Sequence, residues 1–149
     1  MSVTDPDLLR AARALALSAR ALERAAGECD LTLAQYRVLA LVAAGDERSS
    51  LLAERLAVAK PTITAVVDGL VERGCIERAS VQGDRRSIRI TLTKPGQQAL
   101  RAAEREMAAT LERILGHASD RGALLSALGD LDDALASRMH ARLRGEVRA

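Results

Sequence analysis

A pair of arginines, Arg85 and Arg86, gives this sequence its clearest candidate for phosphate chemistry. Arg89 and Lys94 follow, and no acidic residue lies between Arg85 and Lys94. Guanidinium groups suit contacts with phosphate oxygens and base edges, whereas an isolated arginine pair is more often part of a solvated loop. β-Prone residues on both sides predict a hairpin with this basic segment at its tip, with strands at 75–80 and 87–92 and a loop at 81–86.

Asp84 precedes Arg86 by two residues, and this spacing helps to decide whether the arginines contact DNA or belong to a solvated loop. Side chains two positions apart in a strand share one face, so the carboxylate can hold the guanidinium extended. An extended arginine suits a narrow minor groove, where the negative potential is enhanced. The hairpin context and Asp84 therefore favour DNA contact over a solvated loop.

The composition is that of one modest globular domain, and its positive charge is concentrated in the middle. The chain has 149 residues, 48% of them hydrophobic and 28% charged. Residues 48–94 contain nine Lys or Arg and five Asp or Glu, a net of +4 within a chain of net +2. With one aromatic residue, Tyr36, the core must be built from aliphatic helix formers.

The sequence offers no constellation for catalysis or for metal binding. Cys29 and Cys75 lie far apart with no CxxC pair, and His117 and His140 lack acidic or cysteine partners at catalytic spacing. We therefore expect no enzyme, no cofactor, no metal and no disulfide. No apolar run approaches the roughly 20 residues of a membrane span, and no signal peptide is evident, which predicts a cytoplasmic protein.

Helix starts are well marked in the first third of the chain. Asp5 can cap a helix that has Pro6 in its first turn and runs to about Gly27. A capping box, Thr32-x-x-Gln35, predicts a second helix from residue 33 to residue 45.

A third and a fourth helix are predicted in the basic middle of the chain. Ser49 or Ser50 can cap helix 3, a four-residue turn at 57–60 follows, and Pro61 and Gly74 bracket helix 4. One face of helix 4 is apolar and should pack: Ile63, Val66, Val67, Leu70 and Val71. The opposite face should point outward and consists of Pro61, Ala65, Asp68, Gly69 and Glu72. Thr62 and Thr64 lie on the flanks of this face.

Three long helices carry more apolar surface than one chain can bury. Helix 1, helix 5 (94–115) and helix 6, which begins after Ser119 or Asp120, each have a long stripe of Leu, Ala, Ile or Met. This excess predicts a homodimer. The domain division that we expect is a dimerisation helix at 1–30, a central domain at 31–96 that contains the basic segment, and C-terminal dimerisation helices at 97–149.

Five short motifs occur in order along the middle of the chain: Leu52-Ala53-Glu54-Arg55-Leu56, Pro61-Thr62-Ile63-Thr64, Asp68-x-Leu70-x-x-x-Gly74, Asp84-x-Arg86 and Leu92-Thr93-x-x-Gly96. In this order and spacing, the stretch 31–100 resembles the MarR family of bacterial regulators. The resemblance implies a mainly α fold with a small β-hairpin wing, a winged helix-turn-helix with N- and C-terminal dimerisation helices.

The resemblance also implies that helix 4 enters the major groove of an operator and the wing reaches the neighbouring minor groove. For the threonines of helix 4, helix capping is the alternative role. Ala65 and Gly69 stand where family members often carry a polar reader, and Ala57 stands where glycine is common. The expected DNA contacts are Ser49, Ser50, Lys60, Pro61, Thr62, Thr64, Ala65, Gly69, Asp84, Arg85, Arg86 and Arg89.

The resemblance implies a repressor that binds a pseudo-palindromic operator as a homodimer. A small lipophilic or anionic effector releases such a repressor from DNA. Activation of transcription is the alternative to repression. The effector candidates are Arg13, Leu17, Arg20 and Tyr36, although such an arginine row is more often a solvated or ion-paired face. Thiol sensing through Cys29 is a second alternative, against a role as apolar filler. A third is a degenerate winged helix that serves as a protein-interaction module.

Overall fold

The computed structural model describes residues 5–45, 49–81 and 84–143. Within these ranges the elements follow in chain order: α1 (Pro6–Gly27), α2 (Leu33–Ala43), α3 (Ser49–Arg55), α4 (Lys60–Glu72), β1 (Ile76–Val81), β2 (Asp84–Leu92), α5 (Lys94–Leu115) and α6 (Arg121–Leu143). The two strands form an antiparallel hairpin. The predicted mainly α fold with a hairpin wing is confirmed.

Side-chain caps fix the helix starts where the sequence predicts them. The Asp5 carboxylate accepts from the Asp7 amide at 2.9 Å. Thr32 and Gln35 exchange hydrogen bonds of 3.1 and 3.0 Å, which completes the predicted capping box. Such caps satisfy amides that have no partner in the first helical turn, so residues two or three apart set where a helix begins.

The turn between α3 and α4 closes through a residue in a left-handed conformation. Ala57 has φ +51°, the Val58 amide donates to the Ala53 carbonyl at 3.1 Å, and the Ala57 amide donates to Glu54. This is a Schellman ending, in which glycine is the usual left-handed residue. Helix α4 begins at Lys60, one residue earlier than predicted. The tight turn therefore forms without glycine, at the cost of strain in one alanine.

Aliphatic side chains form the core beneath the helix-turn-helix. The fully buried large side chains come from α2, α3, α4, the hairpin and the loop before α2: Leu31, Val38, Leu39, Leu52, Val67, Leu70, Ile76 and Ile90. Helix α4 contributes the apolar face predicted for it, with Ile63, Val67 and Leu70 buried. The orientation of α4 is therefore fixed by burial along one side.

The hairpin is longer than the sequence predicts. Residues 81–86 were expected to form the loop, yet β1 continues to Val81 and β2 begins at Asp84. Pairing extends to Val81 opposite Asp84 after an irregularity at Ser80. The loop prediction was wrong because the ladder joins backbone groups, which pair whatever the polarity of the side chains. Asp84, Arg85 and Arg86 thus belong to a strand.

The start of α5 lies against the hairpin through close backbone contact. Thr93 accepts from the Gly96 amide at 3.0 Å, and its hydroxyl donates to the Gly74 carbonyl at 2.6 Å. A Cβ on Gly96 would lie 1.9 Å from the Cys75 carbonyl oxygen. Glycine is needed here for close approach, and α5 is thereby joined to the beginning of the wing.

The long helices leave apolar residues uncovered, as their sequence stripes predict. Helix α1 packs on α5, but its N-terminal half exposes Leu8, Leu9, Leu15 and Leu17. Helix α6 is joined to α5 by a bidentate pair from Arg121 to Glu112 at 2.8 and 3.1 Å, and this hydrogen bonding lowers the pKa of Glu112. Its exposed apolar residues are Leu124, Leu125, Leu131 and Leu135. Among the described residues no helix is long and apolar enough to cross a membrane.

Candidate nucleic-acid interface

The first two turns of α4 present a continuous exposed surface. Lys60, Pro61, Thr62, Thr64 and Ala65 are all exposed, while the opposite side of the helix is buried. These five are among the twelve residues expected to meet DNA. The arrangement places one cation, two hydroxyl groups and small apolar contacts on one face, a mixture suited to phosphate and base-edge contacts.

Hydrogen bonds within α4 already occupy some of its hydroxyl and amide donors. The Thr64 hydroxyl donates to the Lys60 carbonyl at 2.9 Å, a bond inside the helix that leaves its oxygen as an acceptor. Pro61 has no amide hydrogen, and the Thr62 amide donates to the Ala59 carbonyl at 3.0 Å. Of the first three residues of α4, therefore, only Lys60 has an amide left to meet a phosphate.

Gly69 does not share the open surface of the first two turns. It is half-buried, and a Cβ at this position would lie 3.6 Å from Nε2 of Gln35 on α2. The helical pattern of the sequence had placed Gly69 on the outward face. The neighbouring helix α2 lies against it instead, so Gly69 is less open than the residues at the beginning of α4.

An ion pair that sequence analysis missed joins α4 to the wing. Nη2 of Arg78 on β1 lies 2.6 Å from Oδ1 of Asp68 on α4. The motif pattern pointed to Asp68, but nothing in the spacing identified its partner on another element. Arg73, just after α4, also donates to the backbone carbonyl of Asp30, which anchors the end of the helix to the loop before α2.

The wing itself carries the remaining predicted contacts. Arg89 is exposed on β2, next to the exposed Ile88. The backbone of residues 84–86 is in β2, whereas the side chains of Asp84, Arg85 and Arg86 lie outside the described residues, as do those of Ser49 and Ser50 in the first turn of α3.

The proposed effector contacts differ in how exposed they are in the chain. Arg13 and Leu17 are exposed on α1, and Arg20 is paired with Glu23 at 2.7 Å. Tyr36 instead packs against the core from α2. Burial raises the pKa of its hydroxyl above the ordinary 10.0, and the negative charge of Glu104 raises this pKa further.

The two cysteines are free thiols that the fold covers to different degrees. Cys29 is half-buried and packs against the core, and Cys75 is buried; neither is in a disulfide. His117 is exposed, and the side chain of His140 lies outside the described residues. Within the described ranges, no group of His, Cys, Asp and Glu has the geometry to hold a metal ion.

Helices α3 and α4, their tight turn and the two-stranded wing together define a winged helix-turn-helix. Residues 30–87 match the model of the MarR family, whose motifs the sequence also carries. The winged helix-turn-helix of this chain is therefore similar to that of the MarR family. The matched segment contains α2 to α4, β1 and the beginning of β2.

Solved structures share the fold over almost the whole chain. A MarR-family transcriptional regulator from Rhodococcus sp. RHA1 is 22% identical, with TM-score 0.75 over 93% of this chain and 96% of that one. CouR from Rhodococcus jostii RHA1, solved bound to p-coumaroyl-CoA, is 23% identical, with TM-score 0.72 over 93% and 95%. BldR from Sulfolobus solfataricus is 23% identical, with TM-score 0.72 over 90% and 99%. The long helices outside the matched segment are thus part of the shared fold.

Proposed function

We propose that this protein is a sequence-specific DNA-binding transcriptional regulator that represses by occupying a pseudo-palindromic operator as a homodimer. The observation that carries the proposal is the exposed beginning of α4 together with the Asp68–Arg78 ion pair that holds the wing beside it. The net charge of +4 over residues 48–94 supports a polyanionic partner. In this role α4 reads the major groove and the wing follows the adjacent minor groove.

The homodimer is proposed from the uncovered apolar surface of the long helices. Leu8 and Leu15 on α1 and Leu124 and Leu131 on α6 remain exposed in the single chain. A second copy that covers them would remove apolar surface from water at about 25 cal/mol per Å². We propose the corresponding division into a dimerisation helix at 1–30, a DNA-binding domain at 31–96 and dimerisation helices at 97–149.

Release by a small effector belongs to the same proposal. The structural neighbour CouR was solved with p-coumaroyl-CoA, which supports a ligand-responsive member of this fold. The effector contacts proposed are Arg13, Leu17, Arg20 and Tyr36, of which the first three are exposed on α1. As a cytoplasmic regulator, the protein would meet both its operator and its effector in the same compartment.

A redox-responsive regulator is a weaker alternative. Cys29 packs against the core, which favours its role as a small apolar filler. A winged helix that binds protein rather than DNA is the other alternative, favoured only by the scarcity of polar readers at Ala65 and Gly69. Weak DNA binding that does not respond to salt would point to that alternative.

Selection of bound sequences from random duplexes tests the proposal most directly. We expect a two-fold symmetric consensus whose half-sites are about one helical turn apart, and a complex that contains two chains by light scattering. The variant Leu15→Glu/Leu131→Glu should remain folded by circular dichroism, become monomeric and lose most of its operator affinity. An unordered pool of selected sequences, or equal operator affinity of a monomeric variant, would refute a dimeric DNA-binding regulator.

A further inference from the structure

The N-terminal half of α1 carries an arginine between two exposed leucines. Leu9 lies about one turn before Arg13 and Leu17 about one turn after it, and Leu17 is 69% exposed. At about 100° per residue, both leucines lie within about 40° of Arg13 around the helix. This side of α1 points away from its buried residues, Ala25 and Ala26, so its own chain leaves it uncovered.

The exposed apolar face of α6 has the complementary pattern, with an acid among its leucines. Asp132 is exposed and lies within about 60° of Leu125 and Leu135 around the helix. Both leucines are exposed, Leu135 at 53%. The neighbouring Asp133 lies about 100° further round, on the polar side of α6. Asp132 is therefore the acid that a partner covering these leucines would also remove from water.

We propose that Arg13 of each copy forms an ion pair with Asp132 of the other copy, and that this pair fixes how α1 and α6 align between chains. The inference rests on the proposed homodimer. Among the described residues, neither side chain has an ion-pair partner in its own chain, whereas Arg20 of α1 already pairs with Glu23 at 2.7 Å. A charge that is covered without a partner is costly, so a single charged group inside an apolar interface selects one alignment.

The symmetry of a dimer gives the pair a consequence for partner choice. A two-fold axis repeats each contact, so one charge reversal breaks both pairs and brings like charges together. A related chain without the complementary charge at either position would leave a covered charge unpaired, and the interface would reject it. The anionic effector proposed for Arg13 would have to displace the carboxylate of Asp132.

Mixing two charge-reversal variants of the full chain tests the pair directly. Arg13→Glu and Asp132→Arg should each weaken the homodimer by about a hundredfold or more, as measured by analytical ultracentrifugation. Mixed in equal amounts, the two variants should form a heterodimer of nearly parental affinity, because both ion pairs are restored in it. Asp133→Arg reverses an exposed charge on the neighbouring residue and is the matched control, which should dimerise like the parent.

Circular dichroism shows whether each variant is folded. A variant that is unfolded alone should regain its fold in the mixture, so the mixture decides in either case. Parental dimerisation of either single variant, no heterodimer in the mixture, or an equal loss in Asp133→Arg would overturn the ion pair. Unweakened variant dimers would leave the proposed homodimer intact, whereas a monomeric parent would refute the homodimer and the pair together.

Discussion

The carboxylate of Asp68 on α4 and the guanidinium of Arg78 on β1 lie 2.6 Å apart, so an ion pair joins α4 to the wing. Both side chains are partly exposed, at 48% and 34%. Pairs of this kind contribute about 0–1 kcal/mol to stability, which is small for the fold. The effect of the pair should therefore appear in the relative position of the two DNA-facing elements.

Asp68→Ala should weaken operator binding severalfold although it removes a negative charge from a DNA-facing domain. Loss of the pair frees the wing to move relative to α4, and ordering it again on DNA costs free energy. Glu72→Ala is the control, because it removes an exposed acid from the same helix. Fluorescence anisotropy with operator DNA checks both variants. If Asp68→Ala binds operator DNA as tightly as Glu72→Ala does, the ion pair does not position the wing relative to α4.

Asp84→Ala should also weaken operator binding, and Arg86→Ala should flatten the salt dependence by roughly one phosphate contact per chain. The prediction rests on the sequence: residues two positions apart in a regular strand share one face, so the Asp84 carboxylate can hold the Arg86 guanidinium extended. Glu77→Ala removes an exposed acid from the other strand and serves as the control. Operator affinity should be measured across a salt series. Tighter binding by Asp84→Ala than by the parent would contradict the idea that Asp84 orders the arginine of the wing.

Tyr36 should ionise above pH 10.0 in the folded protein, because burial and then Glu104 raise its pKa. It is the sole aromatic residue, so phenolate absorbance reports it directly. Its ionisation is easier in the unfolded chain, so this contribution to stability is present below the unfolded pKa and is lost as the pH rises through the folded pKa.

Glu104→Gln should lower the pKa of the Tyr36 hydroxyl. This pKa should still lie above that of Tyr36 in the unfolded chain, since burial is the larger cause of the shift. Glu106→Gln, an exposed acid two residues further along α5, should leave it unchanged. A midpoint equal to that of the urea-unfolded protein would show that the hydroxyl is not buried.

Ala57→Gly should stabilise the protein by about 0.5 kcal/mol, because the left-handed strain of alanine exceeds the entropic cost of glycine. The matched control is Ala44→Gly at the end of α2, where φ is −77° and glycine brings only the entropic cost. Thermal or urea unfolding should therefore shift in opposite directions for the two variants. A loss of stability in both would mean that Ala57 is not strained.

Local sequence signals accounted for much of the secondary structure. Asp5, Thr32 and Thr93 cap α1, α2 and α5 through amides two or three residues away, so the sequence itself contains both partners. The burial of Ile63, Val67 and Leu70 follows from helical periodicity in the same way. The exposed beginning of α4 could be predicted for this reason, and the placement of Gly69 against Gln35 could not.

What the sequence by itself determined is therefore the set of elements, their caps and the motifs of a winged helix-turn-helix. The tertiary structure decided which groups meet across elements: Asp68 with Arg78, and Arg73 with Asp30. Capping and periodicity act over one or two helical turns, which a linear pattern records. An ion pair or a cavity depends on how separately formed elements pack, and no spacing along the chain encodes that distance.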